Sequence, residues 1–135
     1  MTMIQLVDDK DGEYRPGACN IGAAEIRRRR DTGVALAIVT AILSVALVAV
    51  GAPPWARLLV FVPAAGAAIG ILQAQFRFCV AFALAGVRNF GPLGVPAKIA
   101  DANAHHADLV AAARLISLSV AIAAAIAIGL ALLPL

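Results

Sequence analysis

TGVALAIVTAILSVALVAVGAPPWA, residues 32–56, contains no ionisable side chain. Two further stretches share that property: LLVFVPAAGAAIGILQAQF (58–76) and LISLSVAIAAAIAIGLALLPL (115–135). As helices rising about 1.5 Å per residue, each is long enough to cross a hydrocarbon core of roughly 30 Å. Apolar side chains surround each helix on all sides, as lipid or buried surroundings require. The expected fold is an all-α integral membrane protein with three transmembrane helices at about 33–52, 57–76 and 115–134.

Composition agrees with this reading. Hydrophobic residues make up 62% of the 135 and charged residues 14%, far from a soluble globular mix. Three spans use much of so short a chain, and no separate soluble domain fits beside them. The expected division is a cytoplasmic N-terminal segment (1–31), a transmembrane hairpin with an apolar extension (32–90), and a cytoplasmic helix continuing into the third crossing (91–135). The polar stretch Met1–Asn20 carries Asp8, Asp9, Asp11 and Glu13 and lacks the apolar core of a cleavable signal peptide. The first span is expected to act as its own insertion signal.

Charge placement predicts orientation. All of the 11 Lys and Arg except Arg57 lie between Lys10 and Arg30 or between Arg77 and Arg114. The positive-inside rule puts both groups in the cytoplasm, giving N-in and C-out. The expected location is the bacterial cytoplasmic (inner) membrane, with the bilayer as a partner. Arg27, Arg28, Arg29 and Arg30 project to all sides of a helix end and are expected to anchor it at lipid headgroups. Trp55, in the turn Pro53-Pro54-Trp55, suits the opposite interface. No aromatics interleave with the basic residues, so nucleic acid is not expected as a partner.

Between the second and third spans, Phe78–Val87 is apolar but too short to cross. It is expected to extend the second helix, lie in the interface, or pack on a partner. Gly91, Pro92 and Gly94 signal a turn. Pro96 is then placed to open a helix running through Ala97–Ala113 into the third crossing.

Few residues offer chemistry. Gly66 and Gly70 form a GxxxG, and Ala121, Ala125 and Gly129 form a similar ladder; both permit close helix approach, within the chain or between chains. Alanine-rich helices also produce such spacings by chance. Cys19 and Cys79 are the candidate thiols. A thiol beside Arg27 or Arg77 would be suited to attack sulfane sulfur or hold a soft metal. The plain alternative makes Cys79 an apolar filler near Phe78 and Phe82, and Cys19 a small loop residue. Asp101, His105, His106 and Asp108 read as a solvated helix face. His105 and His106 are only weak metal candidates, and no metal or other cofactor is expected. No acidic residue or histidine lies within a span, so no intramembrane proton relay or carboxylate ion site is visible. Nucleophile–base pairs, phosphate loops and hydride-binding signatures are missing from the sequence.

Cys19-Asn20-Ile21-Gly22, with Glu25, Arg27, Arg30 and Gly33, resembles the approach to the first crossing in the YgaP-like small inner-membrane domain family, a rhodanese-associated two-helix membrane domain. Phe78-Cys79-Val80-Ala81-Phe82, followed by Leu84 and Gly86, resembles that family's exit motif. The likeness spans residues 19–90. Val80 stands where the family has proline, Phe82 where it has an aromatic hydroxyl, and a rhodanese domain is not expected within these 135 residues. The resemblance implies a helix-hairpin dimer and membrane-side handling of sulfur species.

The function expected from the residues is non-enzymatic: an accessory or assembly subunit packing through its helices onto a larger membrane complex or onto itself. The alternatives are thiol-dependent handling or export of sulfur species or soft metal, and an oligomeric pore.

Overall fold

The computed structural model describes residues 14–91, 93 and 96–134. The acidic residues before Tyr14, and Pro92 and Gly94 of the anticipated turn, lie outside the described residues. Three helices are long and apolar enough to cross a membrane: Ala23–Ala49, Pro54–Phe76 and Ala102–Ala131. The protein is a helical, multi-pass membrane protein.

Helix α1 (Ala23–Ala49) starts ten residues before the expected crossing, because Glu25 to Asp31 continue the apolar helix rather than preceding it. It ends where Gly51 takes a left-handed φ of 67°. Pro54 opens a short helix, α2 (Pro54–Arg57), where its missing N–H has no partner to lose. A 3-10 turn (Leu58–Val60) follows, leading into α3 (Phe61–Phe76). Pro63 accounts for that turn: it cannot donate to the Leu59 carbonyl and its ring crowds it, so a regular α turn fails there.

Helix α3 is the middle helix and packs on both α1 and the last helix, α5 (Ala102–Ala131). It stops at Arg77, which is left-handed at φ 54°, ψ 43°. The Phe78 N–H donates to the Gln73 carbonyl (2.9 Å) and the Arg77 N–H to Ala74 (3.4 Å), the bonding of a Schellman cap. Phe78–Val87 therefore does not extend the second crossing. It forms a separate short helix, α4 (Val80–Ala85), ended by Gly86 at φ 73°. This helix packs on the chain's own α5, where Phe78, Val80, Ala83, Ala112 and Leu115 make a buried cluster.

The expected helix start at Pro96 is also corrected. Ala97–Lys98 (β2) pairs antiparallel with Val87–Arg88 (β1), with Val87 opposite Lys98 and Arg88 opposite Ala97. Helix α5 begins only at Ala102. There the Asp101 side chain accepts the Asn103 N–H at 3.0 Å, a local cap that Pro96 could not supply.

Candidate functional site

Segment 14–22 folds back over the arginine-rich end of the bundle. The Asn20 N–H donates to the Arg77 carbonyl (3.1 Å), the Asn89 N–H to the Asn20 carbonyl (2.9 Å), and the Gly22 N–H to the Asn89 carbonyl (2.7 Å). Gly22 is required for this approach, since a β carbon there would stand 2.8 Å from the Phe90 Cα.

Beneath this strap lies a buried polar knot. The Asn20 amide reads the Cys79 backbone at both ends: its Nδ2 donates to the Cys79 carbonyl (3.1 Å) and its Oδ1 accepts the Cys79 N–H (2.7 Å). The next N–H, that of Val80, donates to Gln73 Oε1 at 2.9 Å. Glu25 is fully buried. It pairs with Arg29 one helical turn on, and its second oxygen accepts Asn89 Nδ2 at 3.1 Å. The same guanidinium reaches across to α4. Its Nη2 donates to Cys79 Sγ at 2.8 Å, and its plane covers the Phe82 ring at 5.2 Å. Thiol, guanidinium and carboxylate thus stand in one chain of contacts. Each buried partner is hydrogen-bonded, a condition under which such networks rigidify a structure. Cys79, at 1% exposure, sits where the strap, α1 and α4 converge.

Arg29 therefore departs from the expected anchoring role: it turns inward, while Arg27, Arg28 and Arg30 remain exposed. Trp55 is exposed at the opposite end. Cys19 is half-buried with its sulfur 3.8 Å from the Ile21 carbonyl, and no disulfide joins the two cysteines.

The expected solvated face of α5 is not uniform. Asp101 and His106 are exposed, and His105 rests against the Gly86 turn. Asp108 is 0% exposed. Its carboxylate accepts the Tyr14 hydroxyl and the Gly17 N–H, both at 2.7 Å, and so straps the N-terminal segment to α5. Burial, and then the adjacent Asp108 carboxylate, push the Tyr14 hydroxyl well above its ordinary pKa. Arg88 lies over the Tyr14 ring at 5.3 Å. Among the described residues, no three His, Cys, Asp or Glu gather as a metal site.

The two small-residue ladders part company. Gly70 meets Gly33 of α1, where a β carbon on Gly70 would be 2.8 Å from the Gly33 Cα; Gly66 faces Leu36. From residue 115 onward, the residues of α5 buried against the bundle are Leu115, Ser119, Ala123 and Ala127. Ala121, Ala125 and Gly129 face outward instead, with open space at Gly129.

At the far end, Arg57 is 3% exposed. It donates to the carbonyls of Ala52 (3.0 Å), Leu130 (3.4 Å) and Leu133 (3.1 Å), closing the C-terminal end of α5, where helix carbonyls lack N–H partners.

Arg57, Asn20, Asn89 and Asp108 were not singled out as site residues from sequence, and Arg29 was expected at lipid headgroups rather than in the knot. One signal was available: Glu25 and Arg29 are spaced i, i+4 at a helix start. The others make their tertiary pairings across long sequence separations, which leave no local pattern. No family model, curated protein or solved structure matches the chain.

Proposed function

We propose that this chain is a small, non-enzymatic subunit of the bacterial cytoplasmic membrane, N-in and C-out, that joins other membrane proteins or copies of itself through its outer helix faces. One observation carries the reading. The Gly66–Gly70 ladder is occupied by the chain's own α1, whereas Ala121, Ala125 and Gly129 lie on an outward face of α5 that no part of the described chain covers. Small residues at a helix surface let a second backbone approach closely in lipid, where packing rather than water exclusion drives association. The buried polar knot supports the same reading, because its groups bond one another. Extraction in mild detergent is expected to recover the chain with a stoichiometric partner or as an oligomer. Gly129→Leu is expected to release that partner without changing thermal stability. A monodisperse monomer for the unaltered protein would refute the reading.

A second reading, thiol-dependent handling of sulfur species or soft metal, is favoured by the 2.8 Å contact between Arg29 Nη2 and Cys79 Sγ. A guanidinium at a sulfur favours a negatively charged adduct there. It is also the activity that the resemblance to the YgaP-like domain implies. Mass spectrometry of protein from polysulfide-fed cells tests it, since a thiolate takes sulfane sulfur as the shortened polysulfide leaves: a persulfide on Cys79, lost in Arg29→Gln, supports the reading. An unmodified Cys79, together with a Cys79→Ser strain that grows normally under polysulfide, removes it.

A further inference from the structure

Beside the folded-back strap, a groove of about 400 Å³ opens between α3 and α5, a size common for ligand-binding clefts. Its floor is apolar: Phe76, Phe78, Leu115 and Leu118. Gly17 of the strap closes one side and Arg114 stands at the rim. The level at which it lies is decided by the sequence. Phe76 is the last residue of one uncharged stretch, Leu115 the first of another, and Arg114 the last charge before it. The floor thus borders hydrocarbon and the rim borders headgroups. Arg114 is exposed, and no side chain or carbonyl among the described residues pairs with it. Arg29 and Arg57, by contrast, are both engaged by protein groups.

We infer that this groove holds one anionic phospholipid, with its phosphate on Arg114 and the upper part of an acyl chain over Phe76, Phe78 and Leu118. Charge complementarity selects this occupant. A planar guanidinium can donate two parallel hydrogen bonds to a phosphate, and an apolar floor below it accepts a chain that a free anion lacks. The strap is a fixed wall, because Asp108 holds the Gly17 N–H at 2.7 Å. The site does not depend on the subunit reading or on the thiol reading; it requires only that the helices span a bilayer.

The test is native mass spectrometry of the intact protein, delipidated in detergent and titrated with phosphatidylglycerol or with phosphatidylcholine of the same chains. One phosphatidylglycerol is expected to bind per chain, and about tenfold more tightly than phosphatidylcholine. Arg114→Gln, which removes a charge-assisted contact, is expected to lose about tenfold in affinity for phosphatidylglycerol. Leu118→Trp fills the groove and is expected to lose as much. Lys98→Gln, an exposed charge on β2, is expected to bind as the unaltered protein does. Thermal unfolding without lipid reports folding separately, and Arg114→Gln should match the unaltered protein there. Equal binding of both lipids, an Arg114→Gln protein that binds unchanged, or competition by millimolar inorganic phosphate would overturn the inference. So would closure of the groove by a second copy, seen as a concentration-dependent dimer that Leu118→Trp abolishes with no lipid preference.

Discussion

Adding one methyl group to Gly70 should distort the bundle more than adding one to any other span glycine except its partner Gly33. A β carbon on Gly70 would stand 2.8 Å from the Gly33 Cα, 3.0 Å from the Arg29 carbonyl oxygen and 3.0 Å from the Gly33 N. Unstrained carbon contacts lie near 3.5–4.0 Å, so α1 and α3 would have to separate by about 0.7 Å. Each opposing atom belongs to the backbone, and no side-chain rotation relieves the clash. Overpacking of this kind costs about 1–3 kcal/mol, offset by about 1 kcal/mol from alanine's better helix propensity. The net expectation for Gly70→Ala is a loss of about 0–2 kcal/mol. Gly66→Ala meets only the tip of Leu36, at 2.7 Å, and the next atom lies at 3.8 Å. Leu36 can rotate away, so this variant is expected within about 0.5 kcal/mol of the unaltered protein. Gly129→Ala meets nothing within 4 Å and is expected to be neutral or stabilising by up to about 1 kcal/mol. Cys79 supplies the assay, because it is 1% exposed and becomes available to a fluorogenic maleimide only on unfolding. In a Cys19→Ser background, labelling during titration with a denaturing detergent ranks the three variants. A Gly70→Ala protein as resistant as Gly129→Ala would refute the close-approach argument.

Asn20→Ala leaves the Cys79 N–H and carbonyl without their partner in a buried site and is expected to cost about 3 kcal/mol; Asn20→Asp should also destabilise, since a carboxylate cannot donate to the Cys79 carbonyl. The same thiol-labelling titration reads both. Tyr14 is the sole tyrosine, so its ionisation can be followed by phenolate absorbance. Its hydroxyl titrates above the ordinary value near 10 when folded, so the strap's contribution to stability is full below about pH 10 and falls as pH rises further. Asp108→Asn should move the absorbance midpoint back toward the ordinary value, and a native midpoint near 10 would disprove the latch. Arg57→Gln removes donors to three carbonyls at the end of α5 and is expected to cost about 2 kcal/mol, measured as earlier thermal unfolding in detergent, with faster amide hydrogen exchange confined to the end of α5.

The sequence alone determined the solvent and the number of crossings. An ionisable group in hydrocarbon is costly wherever it sits, so long uncharged stretches report lipid without reference to any neighbour. It also made the Glu25–Arg29 spacing visible, because that pair lies one helical turn apart. Only tertiary structure decided which polar residues are buried. Asp108 shares its stretch of α5 with the exposed Asp101 and His106, yet becomes the anchor for Tyr14 and Gly17 because the strap folds over it. Likewise, Asn20 and Asn89 meet only because segment 14–22 returns across the end of the bundle. The two small-residue ladders look alike in sequence, but Gly33 opposes one and nothing in the described chain opposes the other. Composition and period are properties of a single segment. Which face of a helix is covered depends on how segments far apart in the chain cross, and that information is carried by packing in three dimensions.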